Sequence, residues 1–231
     1  MEEEKYMRRC IELAKNGLCN AAPNPMVGAV IVCDGRIIGE GYHIRCGEAH
    51  AEVNAIRSVK DESLLKRSTI YVSLEPCSHY GKTPPCADLI IEKQIPRIVI
   101  GCQDPFSQVA GRGIQKLKDA GREVIVGVLE SECRQLIRRF ITFNTLHRPY
   151  ITLKWAESAD HFIDLERTDG QPVVLSSPLT SMLVHKRRAE SVAIMVGRRT
   201  ALLDNPSLTV RNWYGRSEER RVGKECRSRW S

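Results

Sequence analysis

Cys46-Gly-Glu-Ala-His-Ala-Glu52 and Glu75-Pro-Cys77, the second followed by Cys86, are the two stretches around which this chain is organised. Among their side chains are one imidazole, that of His50, two thiols that each follow a proline, those of Cys77 and Cys86, and the carboxylate of Glu52. Nitrogen and sulfur atoms of this kind are the ligands that zinc prefers in tetrahedral sites. A catalytic zinc keeps three protein ligands and leaves its fourth position to water, so these stretches predict a hydrolytic metal site.

The individual roles follow from ligand chemistry. His50, Cys77 and Cys86 are the candidate zinc ligands, and Glu52 is the candidate general acid and base. The alternative is a pair of buried core cysteines with a surface histidine and a solvated glutamate. Residues two apart do not share a helix face, so His50 and Glu52 can serve one site only if the metal lies near the start of a helix.

The order of these residues matches part of a known signature. Zinc nucleobase deaminases carry H-x-E and, further on, P-C-x-x-C, with the glutamate not a ligand. His50-Ala-Glu52 and Pro76-Cys77 match it, but eight residues rather than two separate Cys77 from Cys86. The intervening residues are Ser78-His-Tyr-Gly-Lys-Thr-Pro-Pro85.

With this longer loop, the sequence resembles the deaminase domain of the bifunctional riboflavin-biosynthesis deaminase–reductase family. Pro23-Asn-Pro-Met-Val-Gly28 and Val109-Ala-Gly-Arg-Gly113 fit the same family, and the resemblance covers residues 1–215. It implies an α/β chain: a three-layer α/β/α, cytidine-deaminase-like domain, then a partial dihydrofolate-reductase-like α/β domain. The implied reaction is zinc-dependent hydrolytic deamination of 2,5-diamino-6-ribosylamino-4(3H)-pyrimidinone 5′-phosphate, with one Zn²⁺ per chain.

The resemblance also implies substrate contacts in the first domain. Asn24 and His43 would contact the pyrimidine ring, and Asp104 would face the ribose. Lys82 would bind the phosphate as a point charge, the alternative being a solvated loop lysine. Many family members continue Asp-Pro-Asn-Pro after this aspartate, whereas this chain has Phe106 and Ser107.

A second set of contacts is implied for the second domain. The resemblance implies NADPH contacts at Ala156, Thr200 and Asp204, and substrate contacts at Arg188, Leu208 and Arg211. Where the family commonly has glycine after Asp160, this chain has His161, which fits poorly if the turn needs positive φ. The resemblance stops near residue 215. We therefore expect the family's 5-amino-6-(5-phosphoribosylamino)uracil reductase activity to be absent, and residues 216–231 to be a non-native or disordered tail.

Hydrophobic periodicity predicts how the chain alternates between elements. A helix over 2–16 precedes strands at 26–33 and 36–43, joined by the hairpin signal Asp34-Gly35. Helices are then predicted at 49–59, 85–94, 112–120 and 130–143, alternating with strands at 69–74, 97–101 and 123–128. This alternation indicates a mainly parallel sheet covered on both faces.

The domain limits follow from the same pattern. The deaminase domain spans 1–146, and residues 147–149, ending in Pro149, form a linker because proline breaks the preceding helix. The partial reductase domain spans 150–215. Strands are predicted there at 151–155 and 191–196, flanking a helix at 178–189.

Composition restricts the cellular setting. The 231 residues contain no run of about 18 apolar residues and no apolar stretch near the N-terminus, so we expect neither a membrane span nor a secretion signal. The nine cysteines are then expected to be reduced or metal-binding, in a cytoplasmic protein.

The net charge of the chain bears on whether it binds nucleic acid. The net charge is +7, but six basic residues against three acidic ones lie in 216–231 alone, and aromatic residues make up only 6%. A nucleic-acid-binding module needs basic stripes with stacking aromatics, so we expect no nucleic-acid partner. A working NADPH-dependent reductase, a deaminase of another nucleobase or nucleotide, and a homo-oligomeric assembly all stay open at this stage.

Overall fold

The first unit of the chain is built around β1 (Gly28–Cys33), in which every residue is buried. A tight turn at Asp34 and Gly35, with φ values of 49° and 71°, leads into β2 (Arg36–Tyr42). Two successive positive φ values are typical of a two-residue hairpin, so the predicted turn is confirmed. The computed structural model that gives these elements describes residues 2–80, 84–105, 110–167 and 171–214.

The remaining elements complete a five-stranded sheet with helices. They are α1 (Glu2–Lys15), α2 (Ala51–Ser58), a 3₁₀ helix (Glu62–Arg67), β3 (Thr69–Leu74), α3 (Cys86–Glu92), β4 (Arg97–Cys102), α4 (Arg112–Asp119), β5 (Glu123–Val126), α5 (Glu130–Leu136) and α6 (Arg138–Leu146). The strand order is β2-β1-β3-β4-β5. The sheet is mixed: β3, β4 and β5 run parallel as predicted, whereas β1 is antiparallel to both of its neighbours.

Alternate residues of the central strands supply two separate cores. In β1, Ala29 and Ile31 pack with residues of α2, α3 and α4, whereas Val30 and Val32 pack with residues of α1 and α5. Fully burying a large aliphatic side chain stabilises the fold by about 1.5–3 kcal/mol. Both faces of the sheet are therefore covered, and the predicted three-layer α/β/α architecture is confirmed.

One predicted helix is interrupted. The segment 130–143 divides into α5 and α6 at Ile137, which has φ −102° and ψ 19°. The side chain of Ile137 is only 3% exposed and belongs to the core beside α1 and α5. This side chain is buried at the break. The segment contains no glycine or proline, so its sequence does not predict the interruption.

The second unit comprises the described residues from Ile151 on. Its helix α7 (Pro178–Ala189) is as predicted, with Pro178 in the first turn and the Ser177 hydroxyl accepting a hydrogen bond from the Thr180 N–H at 3.2 Å. Helix α8 (Arg198–Asp204) was not predicted. The strands predicted at 151–155 and 191–196 are wrong, because neither segment pairs with another strand in the described part of this unit.

His161 occupies the turn at which the family commonly has glycine. Its φ is +67°, and its N–H donates to the Ser158 carbonyl oxygen at 2.9 Å. The turn therefore does require a left-handed residue. A side chain in that region costs about 1–2 kcal/mol relative to glycine.

The chain divides between Tyr150 and Ile151 into its two units. The narrower limits given above, with a linker at 147–149 between domains 1–146 and 150–215, stay a prediction. The predicted tail at 216–231 lies outside the described residues. Each helix in the described ranges is too short or too polar to cross a lipid bilayer.

Candidate metal centre and active site

Three elements bring the candidate zinc ligands together at the carboxyl end of β3. His50 immediately precedes α2, Cys77 follows β3, and Cys86 is the first residue of α3. One ligand atom from each residue lies within 4.8 Å of the other two. The Cys86 N–H also donates to the Cys77 sulfur at 3.3 Å, which ties the start of α3 to the end of the β3 segment.

The spacing of these atoms fits a tetrahedral zinc. His50 Nδ1 lies 3.6 Å from Cys77 Sγ and 3.3 Å from Cys86 Sγ. With Zn–S bonds of about 2.3 Å and Zn–N bonds of about 2.0 Å, a tetrahedral angle separates nitrogen from sulfur by about 3.6 Å. The donor set and its dimensions therefore suit zinc, with His50 turned to bind through Nδ1.

The two thiols have opposite proton affinities. Hydrogen bonds from Cys86 and His50 lower the pKa of Cys77 to about 4. The neighbouring Cys77 sulfur and burial raise the pKa of Cys86 well above its usual range. The hydrogen bond to Cys77 likewise raises the pKa of His50 to about 9. Cys77 is thus poised as a thiolate, the form in which cysteine binds metals.

Glu52 lies beside this group in the first turn of α2. Its side chain is 3% exposed, so it is not the solvated glutamate of the alternative interpretation. Burial raises the pKa of Glu52 to about 7, while the charge of His50 acts in the opposite direction. A carboxyl group whose pKa lies near neutral pH can both accept and release a proton there. His50 and Glu52 meet at one site because both lie at the start of α2.

His43 supports the neighbouring Asn24. The Nδ1 atom of His43 is 3.1 Å from the Ala49 carbonyl oxygen, which can only accept a hydrogen bond, so Nδ1 carries a proton. Burial lowers the pKa of His43, so the ring is neutral and Nε2 is an acceptor. Nε2 lies 3.1 Å from Asn24 Nδ2, which must donate. Asn24 is thereby fixed with its carboxamide oxygen turned away from His43.

Glu75 has a role that the sequence analysis did not identify. Its side chain is 4% exposed and accepts four backbone N–H groups. Oε2 accepts from Asp104 at 3.2 Å and Gly111 at 3.0 Å, and Oε1 accepts from Gly113 at 2.9 Å and Ile114 at 3.2 Å. A charged residue that directly follows the apolar strand β3 is a signal that could have pointed to it.

Other residues that the sequence singled out in the first unit are not part of the three-ligand group. Lys82, Phe106 and Ser107 fall outside the described residues. Asp104 is half-buried and follows β4, the strand next to β3. Cys46 is exposed and is not among the three grouped ligand atoms, so it does not close the site as a fourth ligand.

The second unit brings two of its candidate residues together. Arg188, on α7, donates to the Thr209 carbonyl oxygen at 3.2 Å, and the Arg211 N–H donates to His185 Nδ1 at 3.2 Å. Burial, followed by the charge of Arg211, lowers the pKa of Arg188. Leu208, which immediately precedes Thr209, adopts φ +56°.

The three NADPH candidates lie on two separate segments of the second unit. Thr200 and Asp204 lie one helical turn apart on α8, and Ala156 is half-buried in the segment before α7. Asp204 forms an ion pair with Arg167, whose guanidinium also binds Asp164.

Comparison with known proteins places both units. Residues 1–102 match the cytidine and deoxycytidylate deaminase zinc-binding region, and residues 149–227 match the RibD C-terminal domain. The riboflavin biosynthesis protein RibD of Aquifex aeolicus is 44% identical over 209 residues, covering 90% of this chain and 58% of that protein. The Escherichia coli protein of the same name is 45% identical, covering 91% and 56%.

Solved structures show the same similarity as the sequence comparisons. A Thermotoga maritima diaminohydroxyphosphoribosylaminopyrimidine deaminase/5-amino-6-(5-phosphoribosylamino)uracil reductase is 47% identical, with a TM-score of 0.86 over 94% of this chain and 61% of that one. Acinetobacter baumannii RibD, at 39% identity, also has a TM-score of 0.86, over 94% of this chain and 60% of that one. The chain is similar to RibD proteins along both of its units.

This similarity to RibD proteins agrees with the architecture described above. The first unit is a zinc-binding deaminase domain with a His/Cys/Cys site, and the fold class predicted from the sequence is confirmed. The second unit carries the match to the RibD C-terminal domain. The chain spans a little more than half the length of the RibD proteins it matches.

Proposed function

We propose that this chain deaminates 2,5-diamino-6-ribosylamino-4(3H)-pyrimidinone 5′-phosphate by hydrolysis, as a step of riboflavin biosynthesis. The observation that carries the proposal is a buried carboxyl group, Glu52, next to three ligand atoms whose spacing suits zinc. A hydrolytic deaminase needs an activated water and a group that moves its proton, and this site offers both.

The reaction replaces a ring amino group by a carbonyl oxygen and releases ammonia. Zinc held by His50, Cys77 and Cys86 would supply a water acidic enough to react near neutral pH. Glu52 takes the proton that the attacking water loses and delivers it to the departing nitrogen. Burial raises the pKa of Glu52, which suits a group that must act first as a base and then as an acid at the same pH.

Recognition of the pyrimidine is assigned to the pair of Asn24 and His43. Because His43 holds the Nδ2 side of Asn24, the carboxamide oxygen is the atom presented to the ligand, where it would accept an N–H of the ring. In this proposal Asp104 faces the ribose. Lys82 binds the 5′-phosphate, so replacing it by alanine would raise the KM for the phosphorylated substrate far more than for its nucleoside.

The decisive experiment measures ammonia release and zinc content on the same preparation. We expect about one zinc per chain, from the one His/Cys/Cys group found among the described residues, and ammonia release from the diaminopyrimidine phosphate. Cytidine and deoxycytidine monophosphate serve as comparison substrates. Faster release from either of them would favour the alternative, a deaminase of another nucleobase or nucleotide.

The second unit suggests part of a reductase site. Its match to the RibD C-terminal domain and the adjacent Arg188 and Arg211 support a role in binding the phosphate of the deaminated product, with NADPH near Ala156, Thr200 and Asp204. The described residues there form no sheet that could enclose a cofactor, so we predict no NADPH-dependent reduction by this chain alone. NADPH oxidation with the deaminated product as substrate tests this directly.

A homo-oligomer stays a prediction of the sequence. Light scattering coupled to size-exclusion chromatography would measure the mass of the assembly directly.

The same preparation, titrated with single-stranded DNA and RNA, would test the expectation that nucleic acid is not a partner. Binding that weakens steeply with added salt would contradict that expectation.

A further inference from the structure

The end of β3 and the end of β4 lie side by side because the two strands are parallel. Leu74 is paired with Cys102, and the Glu75 N–H donates to the Cys102 carbonyl oxygen at 2.9 Å. Ligands of parallel sheets bind at the carboxyl ends of such strands. Asp104, two residues after the end of β4, therefore follows the strand that lies next to the one leading into Cys77.

The side chain of Glu75 binds the backbone of Asp104 and the backbone at the start of α4. One carboxylate oxygen accepts the N–H groups of Asp104 and Gly111, and the other accepts those of Gly113 and Ile114 in the first turn of α4. Each bond to an ionised acceptor is stronger than one between neutral groups. A negative charge at the start of α4 is also favoured by the helix dipole.

Two glycines make this close approach feasible. Gly111 adopts φ +77° immediately before α4, a conformation that side chains seldom take. A Cβ atom on Gly113 would lie 2.1 Å from the Pro76 carbonyl oxygen, so α4 can reach the Glu75-Pro76 backbone only without a side chain at this position. Both glycines belong to the Val109–Gly113 stretch that the sequence analysis singled out.

We propose that Glu75 is a positioning residue that holds Asp104 and the start of α4 at the edge of the metal centre, and so sets how tightly the substrate binds. This inference rests on the proposed deaminase function. Glu75 itself does not touch the metal ligands through its carboxylate, whose oxygens are directed to the four N–H groups. Its loss should therefore affect substrate binding more than metal binding or the chemical step.

The test compares Glu75→Gln and Glu75→Ala with Asp119→Asn. Glutamine keeps the shape and one acceptor oxygen, but turns an N–H₂ group toward two N–H donors. Alanine removes all four bonds. Asp119, the last residue of α4, is a matched control because its loss removes the same charge from the other end of the helix, where it accepts a hydrogen bond from Gln115 at 2.7 Å.

We expect all three variants to retain about one zinc, with an unchanged visible spectrum after substitution by cobalt. Glu75→Gln should raise KM by about tenfold, roughly the loss of one charge-assisted bond, while kcat stays within about threefold. Glu75→Ala should raise KM further, so that glutamine is a partial rescue. Unchanged KM in both variants, or zinc loss in step with the KM change, would overturn the proposal.

Hydrogen exchange gives a readout that does not depend on activity. The amides of Gly111, Gly113 and Ile114 should exchange faster in Glu75→Gln than in wild type or Asp119→Asn, and unchanged protection would also overturn the proposal. A wild-type chain that fails to deaminate the substrate would contradict the proposed function instead. In that case these exchange rates, rather than the KM for the substrate, test whether Glu75 holds the start of α4 in place.

Discussion

In the proposed reaction, single residues carry most of the chemistry, and Glu52 is the residue that moves the proton. A buried carboxyl group with a raised pKa is costly to ionise, which is what makes it useful for moving protons. We predict that Glu52→Gln keeps zinc, because the glutamate is not a ligand, and lowers the deamination rate by about two to four orders of magnitude. Metal analysis and initial rates on one preparation test this. A rate within about tenfold of wild type would show that another group moves the proton.

Substitution of a metal ligand should have a different effect from substitution of Glu52. Cys86→Ser replaces a thiolate by a hydroxyl that is a poor ligand for zinc at neutral pH. We predict loss of zinc and activity together, whereas Cys46→Ser, at an exposed cysteine outside the ligand group, should keep both. Zinc content after dialysis against a chelator is the measurement. Full zinc retention by the Cys86 variant would remove this cysteine from the site.

His43 allows the two functions of one imidazole to be separated. Asparagine at this position can still donate to the Ala49 carbonyl oxygen but cannot reach Asn24, whereas glutamine can offer an oxygen to Asn24. We predict a larger rise in KM for His43→Asn than for His43→Gln, because only the latter can keep Asn24 oriented. Steady-state kinetics on the phosphorylated substrate decide the order. The reverse order would mean that support of Ala49, just before His50, is the more important function.

At the scale of elements, an ion pair joins α1 to β2. Arg9 donates to both oxygens of Glu40, from Nε at 2.7 Å and from Nη2 at 2.9 Å. Hydrogen bonds from Arg9 lower the pKa of Glu40 below its ordinary value of 4.5. A carboxyl group with a lowered pKa stabilises the folded state above its unfolded pKa, and this contribution is lost as the pH falls through the lowered value.

We therefore predict a pH-dependent effect of Glu40→Gln. The pair is partly exposed, so it is worth up to about 1 kcal/mol, or about 2–4 °C in Tm, near neutral pH. The difference from wild type should shrink as the pH is lowered from about 6 to about 3. Glu12→Gln, which removes the other partner of Arg9 at 3.5 Å, is the control. A constant difference across this range would show that the effect is not electrostatic.

The elements that the sequence predicts well are those that bury a regular apolar pattern. In α1, the buried Tyr6, Met7, Cys10, Leu13 and Ala14 follow the helical period, and β1 is a continuous apolar run. The failures are segments whose conformation depends on partners. Residues 151–155 and 191–196 have strand-like composition, but strands also need a neighbour, and sequence composition cannot supply one.

The candidate site divides in the same way. His50, Glu52, Cys77 and Cys86 are recognisable because zinc chemistry restricts residue type and order, and the structure brings the ligand atoms together. The tautomer of His43 depends on a carbonyl six residues away, and the proposed function of Glu75 depends on N–H groups 29 to 39 residues further on. Backbone donors have no residue type, so no motif could have marked them.

For the whole molecule, the division into two units has an energetic basis. Within the described ranges, all of the buried apolar residues lie at or before Ile137, whereas Ile151, Leu153 and Trp155 are each at least 64% exposed. We predict that limited proteolysis cuts beyond about residue 147 and leaves a zinc-containing fragment that still releases ammonia, because its core is complete without the second unit. Mass spectrometry of the fragment, followed by the deamination assay, tests this. Loss of activity on cleavage would show that the deaminase site needs the second unit.

The position of the metal ligands along the chain matters during synthesis as well. His50, Cys77 and Cys86 all lie in one stretch of the first unit. The strand β4, which flanks β3 on the side opposite β1, ends at Cys102. Domains emerge from the ribosome in order and tend to fold as units. We therefore expect the nascent chain to be able to capture its metal well before the second unit has been translated. The supply of zinc at the ribosome, rather than the fate of the later residues, would then determine how much of the protein is loaded.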